Sequence, residues 1–534
     1  MYLDHFLDPL SAWLSPPMIA GLAVALGIAL NNLLRKQNID APFIGPAVWL
    51  SKWPAAIRNL RFARESIHEG YAKHGKTFFQ IPTMRRSEIY ICNPLMIKEY
   101  RDAPDEHLSM FAVMSDEFQF KWTAPGGQYD AHRLGTPVMA KALGWQRLRT
   151  NNPKDPFFED FAATCLDGLD HGIRMLQETR PSPISSSNAG DTESISNADW
   201  VSVPCFKLAL DVVSRMTTKS LFGQSDFWDE PDFLNMCRQY ADAVPRDAMI
   251  LHLIPTFLRP YFSELLPVRK LHWKLTAVIC NEIGSRSRKT TTEDPPGDLL
   301  DFGIKWIEDP KYVGMYNDRH VANLLSFTVF AALHTTSQLI TLTIYELATR
   351  PEYIQLLRDE IDKCMLEYGS WTKASIDAMH NLDSFMKETQ RCNVLNASSL
   401  ERIALKPFTF SNGLHIPKGS WMGTPHSPLF QDERYYSDPE RFDGLRFARM
   451  RNSEDPQIRR ECLLTATSEH SMHFGHGRHT CPGRWMAADE AKLVMARLVS
   501  SYDIALFSPR PANIKLLKFN VPSMTANIWL RKRS

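Results

Sequence analysis

The sequence predicts a mainly helical protein with small β-sheets. Most of the chain after residue 50 has helical patterning, and only two short runs, Glu88–Cys92 and Phe408–Pro417, have the composition of strands. A third observation is a long apolar segment from Asp318 to Thr349, which far exceeds the length of a strand. With 44% hydrophobic residues among 534, the chain can bury a large core and does not resemble a disordered protein.

Charge and cysteine content exclude several classes of protein. The 61 basic and 60 acidic residues give a net charge of +1, so the basic excess typical of a nucleic-acid-binding protein is absent. Nine dispersed cysteines form no CxxC pair and show no regular spacing, which fits a reducing compartment better than a disulfide scaffold. Only Cys481 lies in a distinctive local sequence.

The N-terminal segment, residues 1–36, is predicted to be an uncleaved membrane anchor. Its unbroken apolar run, Met18–Leu30, is shorter than the roughly 20 residues of a spanning helix, so a span would have to include the residues on either side. Acidic residues precede the run and the first basic residues, Arg35 and Lys36, follow it. This order disfavours a cleaved signal peptide and places the remaining chain on the cytoplasmic side. A buried or interfacial N-terminal helix is the alternative.

The remaining chain is predicted to form one domain behind a short linker. Residues 37–49 contain the sequence Ala41-Pro-Phe-Ile-Gly-Pro46, whose prolines and glycine suit a stiff link. From about residue 50 to 534 no internal repeat is found. The polar segments Pro181–Ala198 and Lys289–Gly297 are interpreted as surface loops within this domain.

The long apolar segment is predicted to be a central helix from Asp318 to Thr349. It stops before Arg350-Pro351, because a residue that precedes proline resists helical geometry. Its only formal charge between Arg319 and Arg350 is Glu346, which would also be compatible with a membrane span. Ten of the 25 residues from Val321 to Tyr345 are Asn, Ser, Thr, His or Gln, however, and lipid tolerates these poorly. We therefore expect this helix to line an active site inside the protein.

The strongest local signal is Phe474-Gly-His-Gly-Arg-His-Thr-Cys481-Pro-Gly-Arg-Trp485. Two glycines permit a tight turn before the cysteine, and Pro482-Gly483 then opens a helix. One face of that helix carries apolar residues at helical spacing, namely Ala487, Ala491, Val494 and Leu498. A cysteine just ahead of a helix N-terminus has its thiolate form favoured, so Cys481 is a candidate metal ligand.

Three other interpretations of this segment are weaker. A phosphate-binding loop would need a third glycine where Thr480 stands. A zinc site is suggested by four histidines that recur every third residue beside the cysteine, namely His470, His473, His476 and His479. The adjacent glycines disfavour a regular finger geometry, and no second Cys/His pair has finger spacing. An inert buried cysteine is the remaining alternative.

The segment resembles the haem-binding loop of the cytochromes P-450, whose pattern is met by Phe474, Gly477, Cys481 and Gly483. The resemblance implies haem b with the Cys481 thiolate as axial ligand of the iron. Two residues before the cysteine, the family usually has an arginine that meets a haem propionate. His479 stands there with Arg478 beside it, so either side chain is a candidate.

Two further segments resemble structural motifs of the same family. Glu388-Thr-Gln-Arg391 matches its Glu-x-x-Arg motif, and Arg441, in Pro-Glu-Arg-Phe, is expected to join the pair in a network. Arg402 resembles the arginine that contacts a propionate from the following strand. A solvated surface arginine is the alternative for Arg402.

The segment Ala331-Ala-Leu-His334-Thr335-Thr resembles the oxygen-activation motif of the family. Ala331 and Thr335 share a helix face, where a small side chain leaves room for dioxygen and a hydroxyl can bond to it. His334 replaces the usual acid. A histidine exchanges protons near neutral pH, so we expect His334 to relay protons. Packing of His334 against a neighbouring helix is the alternative.

The resemblance implies a cytochrome P-450 fold over residues 50–534 and a monooxygenase that inserts oxygen from O2 into an apolar small molecule. The segments around Ala331 and Cys481 are similar to those of filamentous-fungal members that oxidise terpenoids in secondary metabolism. Because the chain has no nicotinamide or flavin fingerprint, electrons are expected from an NADPH-dependent cytochrome P-450 reductase. The expected location is the endoplasmic reticulum membrane, with a single-pass anchor and a cytoplasmic catalytic domain.

Two other functions remain open at this stage. A haem-thiolate enzyme could catalyse a desaturation or rearrangement, and a haem-binding or gas-sensing protein would have no turnover. The segments expected to shape the substrate pocket, Met110–Leu134 and Phe227–Ile254, contain no motif that identifies the substrate.

Overall fold

The computed structural model describes residues 39–45, 52–126, 136–178, 200–223, 225–286 and 296–533. The predicted anchor, residues 1–36, lies outside the described residues, as do the polar segment 181–198 and most of the segment 289–297. The predicted linker, 37–49, is described from residue 39 to 45.

Helices dominate the described residues, and the strands are short. The helices are α1 (Lys52–His74), α2 (Pro94–Arg101), α3 (Met110–Glu117), α4 (Phe120–Thr123), α5 (Thr136–Thr150), α6 (Phe157–Glu178), α7 (Cys205–Phe222), α8 (Pro231–Leu253), α9 (Arg259–Ser263), α10 (Pro267–Arg286), α11 (Leu299–Glu308), α12 (Asp318–Ala348), α13 (Glu352–Tyr368), α14 (Lys373–Ala378), α15 (His380–Cys392), α16 (His426–Leu429), α17 (Arg446–Met450), α18 (Pro456–Glu461) and α19 (Arg484–Ser501). The strands are β1 (Phe78–Pro82), β2 (Ser87–Ile91), β3 (Leu108–Ser109), β4 (Val201–Pro204), β5 (Ser398–Ala404), β6 (Phe408–Thr409), β7 (His415–Ile416), β8 (Trp421–Pro425), β9 (Tyr502–Ala505), β10 (Ile514–Leu516), β11 (Phe519–Val521) and β12 (Asn527–Lys532). The predicted mainly helical fold with small sheets is confirmed.

The described residues divide into two compact units, each built from separate stretches of chain. One unit comprises described residues within 1–128, 243–272 and 398–425. Its centre is a five-stranded sheet in the order β1-β2-β8-β5-β3, in which β2 and β8 are parallel and the other neighbours antiparallel. Almost every residue of β1, β2 and β8 is buried, as expected for strands that are covered on both faces.

Two predicted strand regions lie in this unit. β2 begins and ends one residue earlier than predicted, and the run Phe408–Pro417 forms the antiparallel hairpin of β6 and β7. Its turn passes through Gly413, whose φ of +88° suits glycine. The described part of the predicted linker is also joined to the fold, because the Gln80 N–H donates to the Pro42 carbonyl at 2.8 Å and the Ile44 N–H donates to the Gln80 carbonyl at 3.0 Å.

The other unit comprises described residues within 129–242, 273–397 and 426–534 and is mainly helical. α12 is its long central helix and packs against α7, α15 and α19. The Asn317 side chain caps its N-terminus by accepting a hydrogen bond from the Arg319 N–H. The helix ends at Ala348, one residue before the predicted end, which confirms the prediction.

Several polar residues of α12 form their hydrogen bonds within the helix itself. In its buried C-terminal half, Ser337, Thr341 and Thr343 each donate to a backbone carbonyl one turn earlier, at 2.6–2.7 Å. These hydroxyls are therefore satisfied within the helix and need no polar neighbour. Of the described helices, α12 alone is long and apolar enough to cross a membrane, but most of it is buried in the protein. The helix is thus a core element, as predicted.

Candidate functional site

The loop before Cys481 is a closed turn that depends on two glycines. Gly475 and Gly477 have φ of +69° and +77°, in the region that favours glycine. A Cβ atom on Gly475 would also lie 3.1 Å from the His479 carbonyl oxygen. The Cys481 N–H closes the loop by donating to the Phe474 carbonyl at 2.7 Å. The predicted tight turn is therefore present, and it leads directly into α19.

The thiol of Cys481 lies at the start of α19 and receives backbone donors from it. The N–H groups of Gly483 and Arg484 hydrogen-bond to the cysteine, and the Arg484 guanidinium donates to the Cys481 carbonyl at 2.7 Å. Although Cys481 is partly exposed, burial of its thiol raises the pKa, and the two N–H groups and the Arg484 charge oppose this rise. The thiolate is therefore partly stabilised, and a bound cation would complete that stabilisation.

The middle of α12 presents an uncovered face. Ala331 and Thr335, one turn apart, are exposed, whereas Leu333 and Thr336 between and beside them are buried. The Thr335 hydroxyl donates to the Ala331 carbonyl at 2.8 Å. Since its hydrogen is used there, the hydroxyl oxygen is left to accept a hydrogen bond from outside the helix. The predicted oxygen-activation residues lie on α12, which packs against α19, the helix that follows Cys481.

His334 occupies a different face of α12 from Thr335. Its Nε2 lies 3.1 Å from Asp242 Oδ1, and its ring lies parallel to that of Phe206. His334 therefore packs against neighbouring helices, as in the alternative interpretation, and one of them also supplies a carboxylate. Asp242 was not identified from the sequence, because no local motif links an acid on α8 to a histidine more than 90 residues later.

Glu388 and Arg391 form a fully buried bidentate ion pair on α15. Arg391 Nε and Nη2 each donate to a Glu388 carboxylate oxygen at 2.8 Å. The Asp443 N–H donates to the same carboxylate at 2.9 Å. Arg391 also donates to the carbonyls of Phe430 and Pro439 at 2.8 and 2.7 Å, so the pair ties α15 to the segment that precedes the cysteine loop.

The third arginine of this network is Arg446 and not Arg441. Arg446 Nε lies 3.2 Å from both Glu388 carboxylate oxygens, and its side chain is buried. The Arg441 side chain is exposed, and Arg441 takes part only through its backbone carbonyl, which accepts from Arg391 and Arg446. The prediction of Arg441 was wrong because motif spacing cannot tell which of several nearby arginines turns inward.

Arg402 lies on β5, in the unit that contains the five-stranded sheet. It is only 1% exposed, so the alternative of a solvated surface arginine is wrong. Its Nη1 donates to the Glu401 carbonyl at 2.8 Å. Arg402 is therefore a buried side chain of this unit, and its contact with a propionate stays a prediction.

The two candidate propionate ligands lie on one turn. Gly477, Arg478 and His479 form a short 3₁₀ turn immediately before Cys481. Arg478 is exposed and His479 is half-buried, and Phe474, at the start of the loop, is half-buried too. Both candidate side chains therefore lie in the turn that leads directly to the cysteine.

Three of the four histidines spaced three residues apart contact different side chains. His470 Nε2 lies 3.4 Å from Glu461, the His473 ring stacks on Phe430, and His476 Nδ1 lies 3.1 Å from the Thr467 hydroxyl. In the part of the chain that the structure describes, no group of three His, Cys, Asp or Glu side chains could hold a metal ion. A metal at Cys481 must therefore bring its other ligands with it.

A cavity of about 290 Å³ lies beside α19 and is strongly charged. Its walls include four cationic and three acidic side chains, namely Arg147, Lys373, Arg451, Lys492, Asp377, Asp383 and Asp489. Burial raises the pKa of Asp489 to about 6. Small-molecule sites for apolar ligands have mainly apolar walls, so this cavity does not have the character of the expected substrate pocket.

A family model described as cytochrome P-450 matches residues 186–526 of the chain. The chain belongs to the cytochrome P-450 family. The cytochrome P-450 monooxygenase terQ of Tolypocladium album is 50% identical over 100% of this chain and 96% of its own length. The cytochrome P-450 monooxygenase ltmQ of Epichloe festucae var. lolii is 48% identical over 100% and 98%.

A more distant relative and a solved structure are also similar to this chain. The cytochrome P-450 monooxygenase paxQ of Penicillium paxilli is 36% identical over 93% of both chains. A solved structure of cyanobacterial CYP120A1 with bound retinoic acid matches with a TM-score of 0.65 at 16% identity, covering 92% of this chain and 99% of that one. The latter likeness supports the fold alone. The family model and the relatives at 48–50% identity show that this cytochrome P-450 is a monooxygenase, as its sequence predicts.

The residues at Cys481 fit the haem that the cytochrome P-450 family implies. A sulfur ligand with two amide donors and a nearby guanidinium favours a thiolate bound to a metal cation. Since the described residues supply no further ligand cluster, the porphyrin nitrogens are the natural source of the remaining ligands. Ala331 and Thr335 lie exposed on α12, the helix packed against α19.

Proposed function

We propose that this cytochrome P-450 is membrane-anchored and inserts one oxygen atom from dioxygen into an apolar terpenoid or related fungal secondary metabolite. The observation that carries the proposal is the Cys481 thiol, held by the amides of Gly483 and Arg484 at the start of a helix packed against α12. The terpenoid class is supported by the resemblance of the segments around Ala331 and Cys481 to fungal members and by the fungal relatives.

When bound, haem b would supply dioxygen activation, and a thiolate ligand would favour cleavage of the O–O bond. Cys481 would hold the haem iron through its sulfur. Its two amide donors favour the charged thiolate and so oppose the burial that raises the pKa of this thiol. Arg402, Arg478 and His479 are proposed partners of the haem propionates, since cationic groups pair with carboxylates.

The exposed residues of α12 would serve dioxygen binding and proton supply. Ala331 leaves room for dioxygen because its side chain ends at Cβ. The Thr335 oxygen accepts a hydrogen bond from a water molecule, because the threonine hydrogen is donated to the Ala331 carbonyl. This water is the immediate source of protons for dioxygen reduction, and His334 connects it with solvent.

Electrons are proposed to come from an NADPH-dependent cytochrome P-450 reductase on the same membrane. The sequence has no Gly-rich dinucleotide fingerprint that would let the chain bind a nicotinamide or flavin cofactor itself. A separate flavoprotein is therefore needed to deliver the two electrons of each turnover.

The proposed location is the endoplasmic reticulum membrane, with residues 1–36 as a single-pass anchor. The unit that contains the sheet adds apolar surface of its own, because Phe257, Tyr261 and Leu265 are large exposed side chains close together in the chain. A patch of this kind on a soluble surface commonly marks contact with a membrane or a protein.

Removal of residues 1–36 is expected to release much of the protein from microsomes while haem incorporation is unchanged. The anchor precedes the first described hydrogen bonds of the fold, which begin with residues 39–44. Sedimentation of microsomes with and without the deletion measures the effect, and the haem spectrum controls for folding. If the truncated chain stays fully membrane-bound, the anchor assignment fails and the exposed patch carries the attachment.

The proposed reaction is tested with isotopically labelled dioxygen. Purified protein, reductase, NADPH and candidate terpenoids, chosen because they change the haem spectrum, should give a product that contains one labelled oxygen atom. A product without labelled oxygen would favour desaturation or rearrangement. Spectral binding without NADPH-dependent product would favour a haem-binding or gas-sensing protein.

A further inference from the structure

The inference starts from a contact between the central helix and α8. His334 Nε2 lies 3.1 Å from Asp242 Oδ1. The Asp242 side chain is 59% exposed, whereas that of His334 is 16% exposed. The pair therefore extends from solvent toward the interior of the helical unit, and it ends on the residue next to Thr335.

The imidazole ring of His334 is held on two sides. Its plane lies within 10° of that of Phe206, with ring centroids 6.4 Å apart. Phe206 is itself buried on α7. The aromatic neighbour restricts rotation of the ring, and the Asp242 carboxylate selects which nitrogen faces α8.

This arrangement determines the role of each ring nitrogen. An ionised carboxylate can only accept hydrogen bonds, so Nε2 must carry the hydrogen in the contact with Asp242. His334 Nδ1 is buried and has no hydrogen-bond partner within the described residues. A buried polar atom without a protein partner commonly binds water. Nδ1 is therefore the nitrogen that can exchange a proton with water inside the protein.

Thr335 supplies the other end of the path. Its exposed hydroxyl donates to the Ala331 carbonyl, which leaves its oxygen as an acceptor. Successive residues on a helix point about 100° apart, so His334 and Thr335 reach neighbouring sectors of space. A water molecule between these sectors can bond to both side chains.

We propose that Asp242 is a positioning residue for proton supply. It lies on α8 and takes the place of the carboxylate that the family usually has in the oxygen-activation motif, where this chain has His334. Asp242 holds the hydrogen on Nε2 and thereby leaves Nδ1 on the buried side of the ring. When His334 is doubly protonated, its Nδ1–H bond breaks as a new O–H bond forms on the water at Thr335, and that water gives up one of its other protons to the reaction. The ring keeps its hydrogen on Nε2, and Nδ1 takes up the next proton from water inside the protein. The proposal rests on the monooxygenase reaction, in which a C–H group, O2, two electrons and two protons give C–OH and water.

The first test compares Asp242→Ala and Asp242→Asn with Asp232→Asn, a matched change of an exposed acid in the first turn of the same helix. Asp242→Ala is expected to raise the ratio of hydrogen peroxide to oxygenated product about tenfold, because a misoriented proton donor loses part of the rate that acid–base catalysis provides. Asp242→Asn should have a smaller effect, since its amide oxygen still accepts from Nε2. Substrate-induced changes of the haem spectrum should keep the same Kd, and Asp232→Asn should behave as wild type.

The second test does not use activity. Protein with ¹⁵N-labelled histidine is examined by NMR as the diamagnetic ferrous carbon monoxide complex, with His334→Gln to assign the signal. Wild type and Asp242→Asn should carry the His334 hydrogen on Nε2, whereas Asp242→Ala should give a mixture of tautomers. A purely structural role of Asp242 would leave the tautomer unchanged.

The outcomes separate this proposal from the proposed function. Wild-type coupling or a wild-type tautomer in folded Asp242→Ala overturns the role of Asp242 while the monooxygenase function stands. Failure of the wild-type protein to form labelled product contradicts the monooxygenase function and the proton-supplying role together.

Discussion

Replacement of Cys481 by alanine is expected to abolish the red-shifted Soret band of the reduced carbon monoxide complex and to lower monooxygenase turnover to background. The band depends on a thiolate opposite the carbon monoxide, and alanine offers no ligand atom. The described residues provide no other cluster that could hold a metal, so a substitute ligand set is not expected from this part of the chain. The reduced carbon monoxide difference spectrum and product formation measure the two effects.

Cys280→Ala is the matched control for this prediction. Cys280 is another partly exposed free cysteine, and it lies within α10, where alanine is well tolerated. Its removal should leave the spectrum and the turnover unchanged. A wild-type spectrum like that of a histidine-ligated globin, in correctly folded protein, would contradict the assignment of Cys481.

Features carried by contiguous residues were predicted well from the sequence. The central helix was correct to within one residue, because its apolar run has a proline just beyond its end. The helix after Cys481 was also correct, and Ala491, Val494 and Leu498 on its predicted face are buried. In both cases the signal lies in local periodicity and in residues with special backbone preferences.

Features that depend on distant parts of the chain were predicted less well. The parallel pairing of β2 with β8 joins strands separated by more than 300 residues, and no local pattern specifies it. Glu388 and Arg391 were found because an i, i+3 spacing brings their charges together. Arg446 was missed because only the tertiary path of the chain brings it to Glu388, and Arg441 matched the motif equally well.

The same limit applies to the residues around Thr335. The sequence identified His334 as a departure from the family pattern, and this was enough to predict a proton-transferring role. The carboxylate that contacts His334 lies on α8, and tertiary packing alone brings it to 3.1 Å from the histidine. A motif search therefore shows that the acid is missing from the motif, but it does not identify Asp242 as the carboxylate beside His334.

Glu388→Gln is expected to destabilise the protein by about 3–5 kcal/mol, because it leaves two buried guanidinium groups without their carboxylate. Glu388 is 0% exposed and contacts both Arg391 and Arg446. The loss should be measured as a lower urea midpoint for release of the haem. As a matched control, Glu69→Gln removes the same charge from a surface pair with Lys73, where a change below about 1 kcal/mol is expected.

Two arginine variants then decide which arginine completes the network. Arg446→Ala should lower the urea midpoint strongly, because the Arg446 guanidinium is buried against Glu388 and also donates to the Ser437 carbonyl at 2.6 Å. Arg441→Ala should change stability by less than about 0.5 kcal/mol, since its side chain is exposed and its backbone carbonyl, which accepts from Arg391, is retained. Equal losses of stability in the two variants, or a larger loss for Arg441→Ala, would contradict the assignment of Arg446 as the third arginine of the network. Arg391 also links α15 to the Pro439 carbonyl, so the network holds the segment that leads to Cys481. The buried Arg446 stabilises this network through its contact with Glu388.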